Sequence, residues 1–410
     1  MLDKVLEATG LDAQACARLL GISPIIFGEW MANQRPIPES YLILLADILG
    51  VEPSILRMPS KHAQRLGDIT PAIWYKFRGD ELTDADRECV VLIRLLGHFQ
   101  NEIEDVTGRK AVGWKQLFEA IRQGVDAQAP PSEQGRRAAR LFRESTGLSQ
   151  CATGIGNVFR ANVRRLGILI IESPIQESRV EGCSFYVGAH PMDRPCVFAN
   201  TYHSTWFRRN VILMHEVAHA IFDASSSGAS LDFVNPIDQT ELSEQRAQAF
   251  AQEALLPREV LNHVAQSLGV KWDKLSREDM ARLIEDTQVE QKLVARVAVA
   301  GGFVPPEVET ELQGLEVADR LRQISDRALT TTEYLEKYKT ADDKRKLMLG
   351  KRATTIPSRQ LLLPVPYVRG VIDALKEKLI SRGRAAELLM IDKYDLEARF
   401  EELVPALADE

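Results

Sequence analysis

Two histidines four residues apart, His215 and His219, with Glu216 directly after the first, are the residues of this chain best placed to do chemistry. On an α-helix, positions i and i+4 lie on one face, so both imidazoles can reach one ion. A glutamate at i+1 sits about 100° round the helix, able to touch a water activated there without occupying the metal. Two imidazole ligands, an open position and a base beside it are what hydrolysis at a zinc ion requires. On a polar surface helix the same residues would merely be solvated. Here Val211, Ile212, Leu213, Met214, Val217, Ala218, Ala220, Ile221 and Phe222 make the helix apolar almost all round, which predicts burial. Two histidines and a glutamate in a buried helix are costly unless they are partnered, and a shared metal ion partners them.

Two histidines alone do not hold zinc tightly, so a third protein ligand is expected. A third histidine two turns on is excluded, because the helix continues Ile221-Phe222-Asp223 and the next histidine is His263. Asp223 shares the face of His219, but a straight helix carries it past the ion. Glu244 starts a second helix whose alanines, Ala247, Ala251 and Ala254, form a thin face able to pack closely on the metal helix. Glu244 is the preferred third ligand, with Asp223 and Glu241 left as alternatives.

The elements that must position these residues are a small sheet and the helices around it. Gly167–Glu172, Gly182–Gly188 and Pro195–Asn200 read as short strands separated by turn residues. The helix Thr205–Asp223 with the paired histidines follows at once. Next comes a polar loop, then a helix Leu242–Ala254 and a helical pair over Ser276–Ala300. The run Gly301-Gly302-Phe303-Val304-Pro305-Pro306 ends the unit. The predicted class is therefore mostly α with a small β-sheet (α+β).

Both ends read as helical. Residues 2–57 carry helices at Leu2–Ala8, Asp12–Leu20, Pro24–Asn33, Glu39–Leu49 and Pro53–Arg57. The spacing of Ala17, Leu20, Gly21, Ile22 and Trp30 is that of a helix-turn-helix and resembles repressor-type modules. Its chemistry does not favour DNA. Residues 1–57 hold four positive and seven negative side chains, a net of 4 − 7 = −3, whereas phosphate neutralisation supplies most DNA affinity. The positions expected to face base edges are Pro24, Ile25, Phe27 and Gly28, and none offers a bidentate donor or acceptor. Helices over Asp80–Gly108 and Trp114–Arg122 precede a linker at 127–132. Two arginine-bearing helices follow, with Arg136, Arg137, Arg140 and Arg143, then Arg160, Arg164 and Arg165; each row is read as a solvated helix face, with a basic rim for an acidic or nucleic-acid partner as the alternative. In the tail, Arg359–Pro366 reads as an extended connector and residues 380–391 as a second helix-turn-helix-like hairpin. The domain divisions expected are 1–58, a helix-turn-helix bundle; 59–132, a helical connector; 133–305, the catalytic unit; and 306–410, a helical C-terminal region with the hairpin near 380–400.

The whole chain sets broader limits. Its 410 residues are 45% hydrophobic and 27% charged, with a formal net charge of −7, so nothing draws it globally to nucleic acid or anionic membrane. No signal sequence and no apolar run of membrane-spanning length is seen. The five cysteines, Cys16, Cys89, Cys151, Cys183 and Cys196, show no CxxC pair, which fits reduced thiols and a cytoplasmic location. Cys183, on a strand expected to line the cleft, reads as a small buried hydrophobe, with a regulatory fourth zinc ligand as the sharper alternative.

The motif His215-Glu216-x-x-His219, followed by Glu244-x-x-Ala247-x-x-Phe250-Ala251-x-x-x-Leu255-Leu256-Pro257, resembles the ImmA/IrrE family of metallopeptidases. Gln248 stands where that family usually has asparagine. The resemblance covers roughly residues 135–305, and the fusion to an N-terminal repressor-like (XRE-type) helix-turn-helix is similar to a common architecture in that family. It implies a zincin-like core in which His215, His219 and Glu244 bind Zn2+ and Glu216 is the general base. It further implies endoproteolysis of a protein substrate, a helix-turn-helix repressor, in a stress, mobile-element or phage-response circuit. Three side chains, His203, Tyr202 and Tyr186, in the strand and loop region beside the metal helix, are candidates for a carbonyl stabiliser, but each reads first as structural or surface. Two other functions compete: a DNA-binding regulator using the peptidase-like domain as a sensor, and an antitoxin-like protein-binding scaffold. Retention of Glu216, which a sensor does not need, favours the enzyme. A homodimer is one expectation, since helix-turn-helix proteins often dimerise; DNA is an uncertain partner and a membrane is not expected.

Overall fold

The computed structural model describes residues 2–9, 12–49, 56–57, 83–109, 113–176, 178–187, 194–202, 204–223, 229–233, 242–333 and 365–389. The chain is α+β and mostly helical, around one small sheet. The sheet has four strands, β1 (Leu169–Ser173), β2 (Val180–Val187), β3 (Arg194–Asn200) and β4 (Ala229–Phe233), in the order β1-β3-β2-β4. β1 runs parallel to β3, while β2 lies antiparallel to both β3 and β4. Cys183 is opposite Phe198 on one side and Leu231 on the other. Three of these strands match the expected ones; residues 229–233, expected as loop, form the fourth. Ala229, Leu231 and Phe233 alternate with Ser230 and Asp232, a strand period, but over only five residues next to a Ser- and Gly-rich stretch; pairing with β2 makes it a strand.

Alternation along the strands sends side chains to two separate cores. Ile170, Tyr186, Val197 and Ala199 join one cluster with Leu213, Met214, Val217 and Ile221. Leu169, Ile171, Cys183, Phe185, Val187, Cys196 and Phe198 join the other. Nearly every residue of β1–β3 is buried, because helices cover both faces.

The N-terminal helices are α1 (Leu2–Thr9), α2 (Ala13–Leu19), α3 (Pro24–Met31) and α4 (Glu39–Leu49). Ser23 caps α3, its side chain accepting from the Ile25 amide, and Pro24 opens the helix where a missing N–H costs nothing. Phe27, expected to face outward with Pro24, Ile25 and Gly28, is buried at 1% exposure beside Trp30. It is a core residue, since burying a phenyl ring against an indole outweighs presenting it to water. The expected helix at 53–57 falls largely outside the described residues.

The next helices are α5 (Asp84–Val106), α6 (Trp114–Gln123), α7 (Pro131–Ser145) and α8 (Gly156–Arg165). Thr83 and Asp86 form a reciprocal capping box at the start of α5. α5 lies across the second sheet face, so closely at Gly97 that a Cβ there would stand 3.1 Å from Val187. Asp86 pairs with Arg179 just before β2, and Glu104 with Arg194 of β3. The N-terminal helices, α5, this sheet face and the C-terminal hairpin bury their apolar side chains in one continuous cluster. That hairpin is α16 (Val365–Lys376) and α17 (Arg382–Leu388), the last described helices of the chain. Val365 and Pro366, read from sequence as connector, are the first turn of α16, a place where proline's fixed φ is tolerated. The rest of that connector lies outside the described residues.

The arginine rows divide. Arg143 is buried, donating to the Ala254 and Leu148 carbonyls at 2.7 Å each. Arg160 is buried and forks onto Glu172 at 2.9 and 2.8 Å. Neither belongs to a solvated rim. Arg136, Arg137 and Arg140 are exposed on α7.

The first sheet face carries α9 (Trp206–Phe222), packed in turn by α10 (Leu242–Leu255), and α10 lies along α7. Beyond them come α11 (Arg258–Ser267), α12 (Arg277–Thr287), α13 (Gln291–Ala300), α14 (Glu309–Gly314) and α15 (Ala318–Ile324). Among the described residues, no helix is long and apolar enough to cross a membrane.

Candidate metal centre

α9 starts at a cap, the Thr205 side chain accepting from the Arg208 amide. Its far end is held from three sides. The Tyr186 hydroxyl donates to the Ala220 carbonyl at 2.8 Å, Arg122 to the Ile221 carbonyl at 3.0 Å, and the Asp223 amide to the His219 carbonyl at 2.8 Å. These bonds satisfy carbonyls that a helix end otherwise leaves open, and they keep the last turns regular. Regularity there puts His215 and His219 on one face, ring centroids 4.7 Å apart and their Nε2 atoms 3.0 Å apart.

Glu244, in the first turn of α10, completes the group. Its Oε2 lies 3.1 Å from His215 Nε2 and its Oε1 3.3 Å from His219 Nε2. One ligand atom from each of His215, His219 and Glu244 falls within 4.8 Å of the others. α10 reaches this position because Ala247, Ala251 and Ala254 are small and buried on its packed face. At its other contact, Gly135 of α7 meets the α10 backbone directly: a Cβ there would stand 2.2 Å from the Arg246 carbonyl oxygen.

The donor set suits a small dication. Two imidazole nitrogens and a carboxylate converge from two helices, the combination that holds zinc with a coordination position left over. His219 is fully buried, whereas His215 and Glu244 keep 15% and 27% of their side chains accessible, so the cluster opens on one side. Burial disfavours a charged His219, but hydrogen bonds to Asp223 and Glu244 outweigh it and hold its pKa well above the usual value. Burial likewise works against ionised Glu244, yet its bonds to the two histidines hold it well below the usual carboxylate range. Asp223, Glu244 and Glu216 together favour positive charge at this point.

Glu216 is fully buried and turns toward β2. Its carboxylate occupies the room left by the absent side chain of Gly182: a Cβ at that position would stand 2.8 Å from Oε1 and 2.6 Å from Ile212 Cγ2.

The other sequence candidates fall elsewhere. Asp223, an alternative third ligand, sits behind His219, with Oδ2 2.8 Å from Nδ1 rather than on the Nε2 side. Capping the helix end turns it away from the convergence point. Glu241 and His203 lie outside the described residues. Tyr186 spends its hydroxyl on the α9 backbone, and Tyr202 is half-buried. Cys183 does not reach the centre. One residue along the strand from Gly182, it points to the opposite face, into the core of Cys196, Phe198 and Cys89, where burial pushes its thiol well above the usual value. Two residues the sequence reading passed over belong to the site: Gly182 and Arg246, whose Nη2 donates to Asp223 Oδ1 at 2.6 Å. Gly182 stands first in the expected strand, where glycine reads as a turn residue, so its place inside β2 was not signalled. A groove of about 970 Å³, lined by Glu278, Arg320 and Arg322, includes none of these residues.

The family model described as the IrrE N-terminal-like domain of Peptidase M78 matches residues 163–290. That span runs from the end of α8 to just beyond α12 and contains His215, Glu216, His219 and Glu244; both ends of the chain lie outside it. At family level the matched region is a metallopeptidase-type domain, of a kind typically dependent on zinc. No curated protein and no solved structure matches the chain.

Proposed function

We propose that the chain is a zinc-dependent endopeptidase that cuts a regulatory protein, a helix-turn-helix repressor, with His215, His219 and Glu244 as metal ligands and Glu216 as general base. The observation that carries this reading is the convergence of those three ligand groups within 4.8 Å, beside a buried glutamate. A zinc ion, when bound, supplies Lewis acidity toward water and the scissile carbonyl. Glu216 accepts the proton of the attacking water and delivers it to the departing amine. Gly182 gives Glu216 the room to stand at that position. The partly open flank at His215 and Glu244 is where an extended substrate enters.

The substrate class rests on the resemblance to the ImmA/IrrE peptidases, in which regulatory modules accompany the catalytic unit. In that arrangement the N-terminal helices are a helix-turn-helix module whose net negative charge suits a protein partner better than duplex DNA. The test is co-expression of the chain with helix-turn-helix repressors from its own cell, comparing the native chain with Glu216→Gln. Cleavage by the native chain alone supports the reading, and equal cleavage or none by both overturns it.

A further inference from the structure

We infer that Arg246 is a positioning residue of the metal centre, acting on His219 through Asp223. This deepens the metallopeptidase reading and rests on it.

An imidazole can serve a metal through Nε2 only if the proton sits on Nδ1, and the partner of Nδ1 decides that. Here the partner is Asp223 Oδ2, at 2.8 Å. Asp223 is also the capping residue of α9, its amide donating to the carbonyl of the same histidine. One residue therefore fixes both the backbone and the ring of His219.

A carboxylate at a helix end can rotate. Arg246 removes that freedom, Nη2 donating to Asp223 Oδ1 at 2.6 Å while Oδ2 stays on the ring. The guanidinium is itself fixed. Its Nη1 donates to Gln134 Oε1 of α7 at 3.2 Å, and its central carbon lies over the Phe222 ring, 4.6 Å from the centroid. Gln134 in turn donates to the Ala127 and Ala129 carbonyls. Asp223 is 12% exposed and Arg246 20%, so solvent screens the pair only weakly.

The placement on α10 gives the arrangement its consequence. Glu244 approaches His219 from the Nε2 side, and Arg246, two residues later, reaches the Nδ1 side through Asp223. One helix thus sets both nitrogens of one imidazole. Gly135 holds that helix against α7 at Arg246 itself. Lysine cannot replace the fork, because one ammonium cannot bond both Asp223 and Gln134 in this fork geometry while covering the Phe222 ring.

The experiment uses the full chain, with zinc affinity measured against a chromophoric chelator and the visible spectrum of the cobalt-substituted protein as a second readout. Arg246→Met should weaken zinc by about ten- to hundred-fold, the usual effect of losing an outer partner, and alter the cobalt bands. Asp223→Asn should do the same. The double variant should lose little more than either single one, because both act on the same ring. Arg246→Lys should recover only part of the affinity, and it carries the comparison if Arg246→Met fails to fold. Unchanged zinc affinity and cobalt bands in folded Arg246 variants, or strictly additive losses, would overturn the proposal while leaving the metal centre standing. A native chain that takes up no stoichiometric zinc would overturn the metallopeptidase reading and this proposal together.

Discussion

Gly182 and Glu216 meet where a side chain on β2 would otherwise stand. A Cβ at Gly182 would fall 2.8 Å from Glu216 Oε1, inside the closest separation such atoms adopt. The strand that supports the metal helix thus also sets the depth of its buried carboxylate. Gly182→Ala should leave His215, His219 and Glu244 in place and displace the Glu216 carboxylate. Because a misplacement of about 1 Å in catalytic geometry costs on the order of a hundredfold, kcat should fall steeply while zinc content stays at the native level. Parallel loss of zinc and activity would contradict this division of labour.

The seam between α7 and α10 has a similar pinch point. At Gly135 a Cβ would meet the Arg246 carbonyl oxygen at 2.2 Å and the Phe250 amide nitrogen at 2.9 Å, both backbone atoms that cannot swing aside. Gly135→Ala should destabilise the chain by about 1–3 kcal/mol, as overpacking does, and lower the thermal midpoint. An unchanged midpoint would show that the two helices have slack there.

Glu172 gives a prediction in pH. Burial works against its charge, but Arg160, with help from Arg209 and Arg164, holds its carboxyl down to about 2 from the usual 4.5. A group depressed in the folded state contributes stability that is present above its unfolded value and lost as pH falls through the folded one. The window is therefore between about pH 4.5 and 2, and the contribution is on the order of 3 kcal/mol. Urea unfolding at pH 5 and pH 3 should show a smaller acid loss for Glu172→Gln than for the native chain. Equal losses would mean that the Arg160–Glu172 fork does not report on acid stability.

The cysteines should divide by burial. Cys16, Cys89, Cys183 and Cys196 are buried and Cys151 is partly open. Burial also pushes Cys89 up to about 12. A thiol reagent at pH 8 should label Cys151 and spare Cys183 until the chain unfolds. Cys183→Ala should leave basal proteolysis unchanged, since the thiol faces the core on the other side of the sheet. Increased proteolysis in that variant would restore Cys183 as a regulator.

The sequence spoke most clearly where the physics is local. His215 and His219 share a face because helical periodicity puts them there, and the alanines of α10 announced a close helix contact that brings Glu244 in. What depends on distant partners was not legible. The alternation of Ala229, Leu231 and Phe233 is too short to stand alone and becomes a strand only on β2, and Phe27 is core because Trp30 and its neighbours enclose it. The fork of Arg246 joins residues 134, 223 and 246, whose meeting no spacing announces. Helical spacing puts Asp223 on the face of His219, but only the cap geometry shows which nitrogen of His219 it addresses.

The most direct measurement is zinc content and proteolysis of the native chain and Glu216→Gln, side by side on one co-expressed repressor substrate. The two proteins should hold the same stoichiometric zinc, and the substitution should slow cleavage by about 10²–10⁴-fold, the range a positioned proton acceptor provides. Equal cleavage by both, or a native chain that neither holds zinc nor cuts, would contradict a metallopeptidase built on His215, His219 and Glu244 with Glu216 as its base.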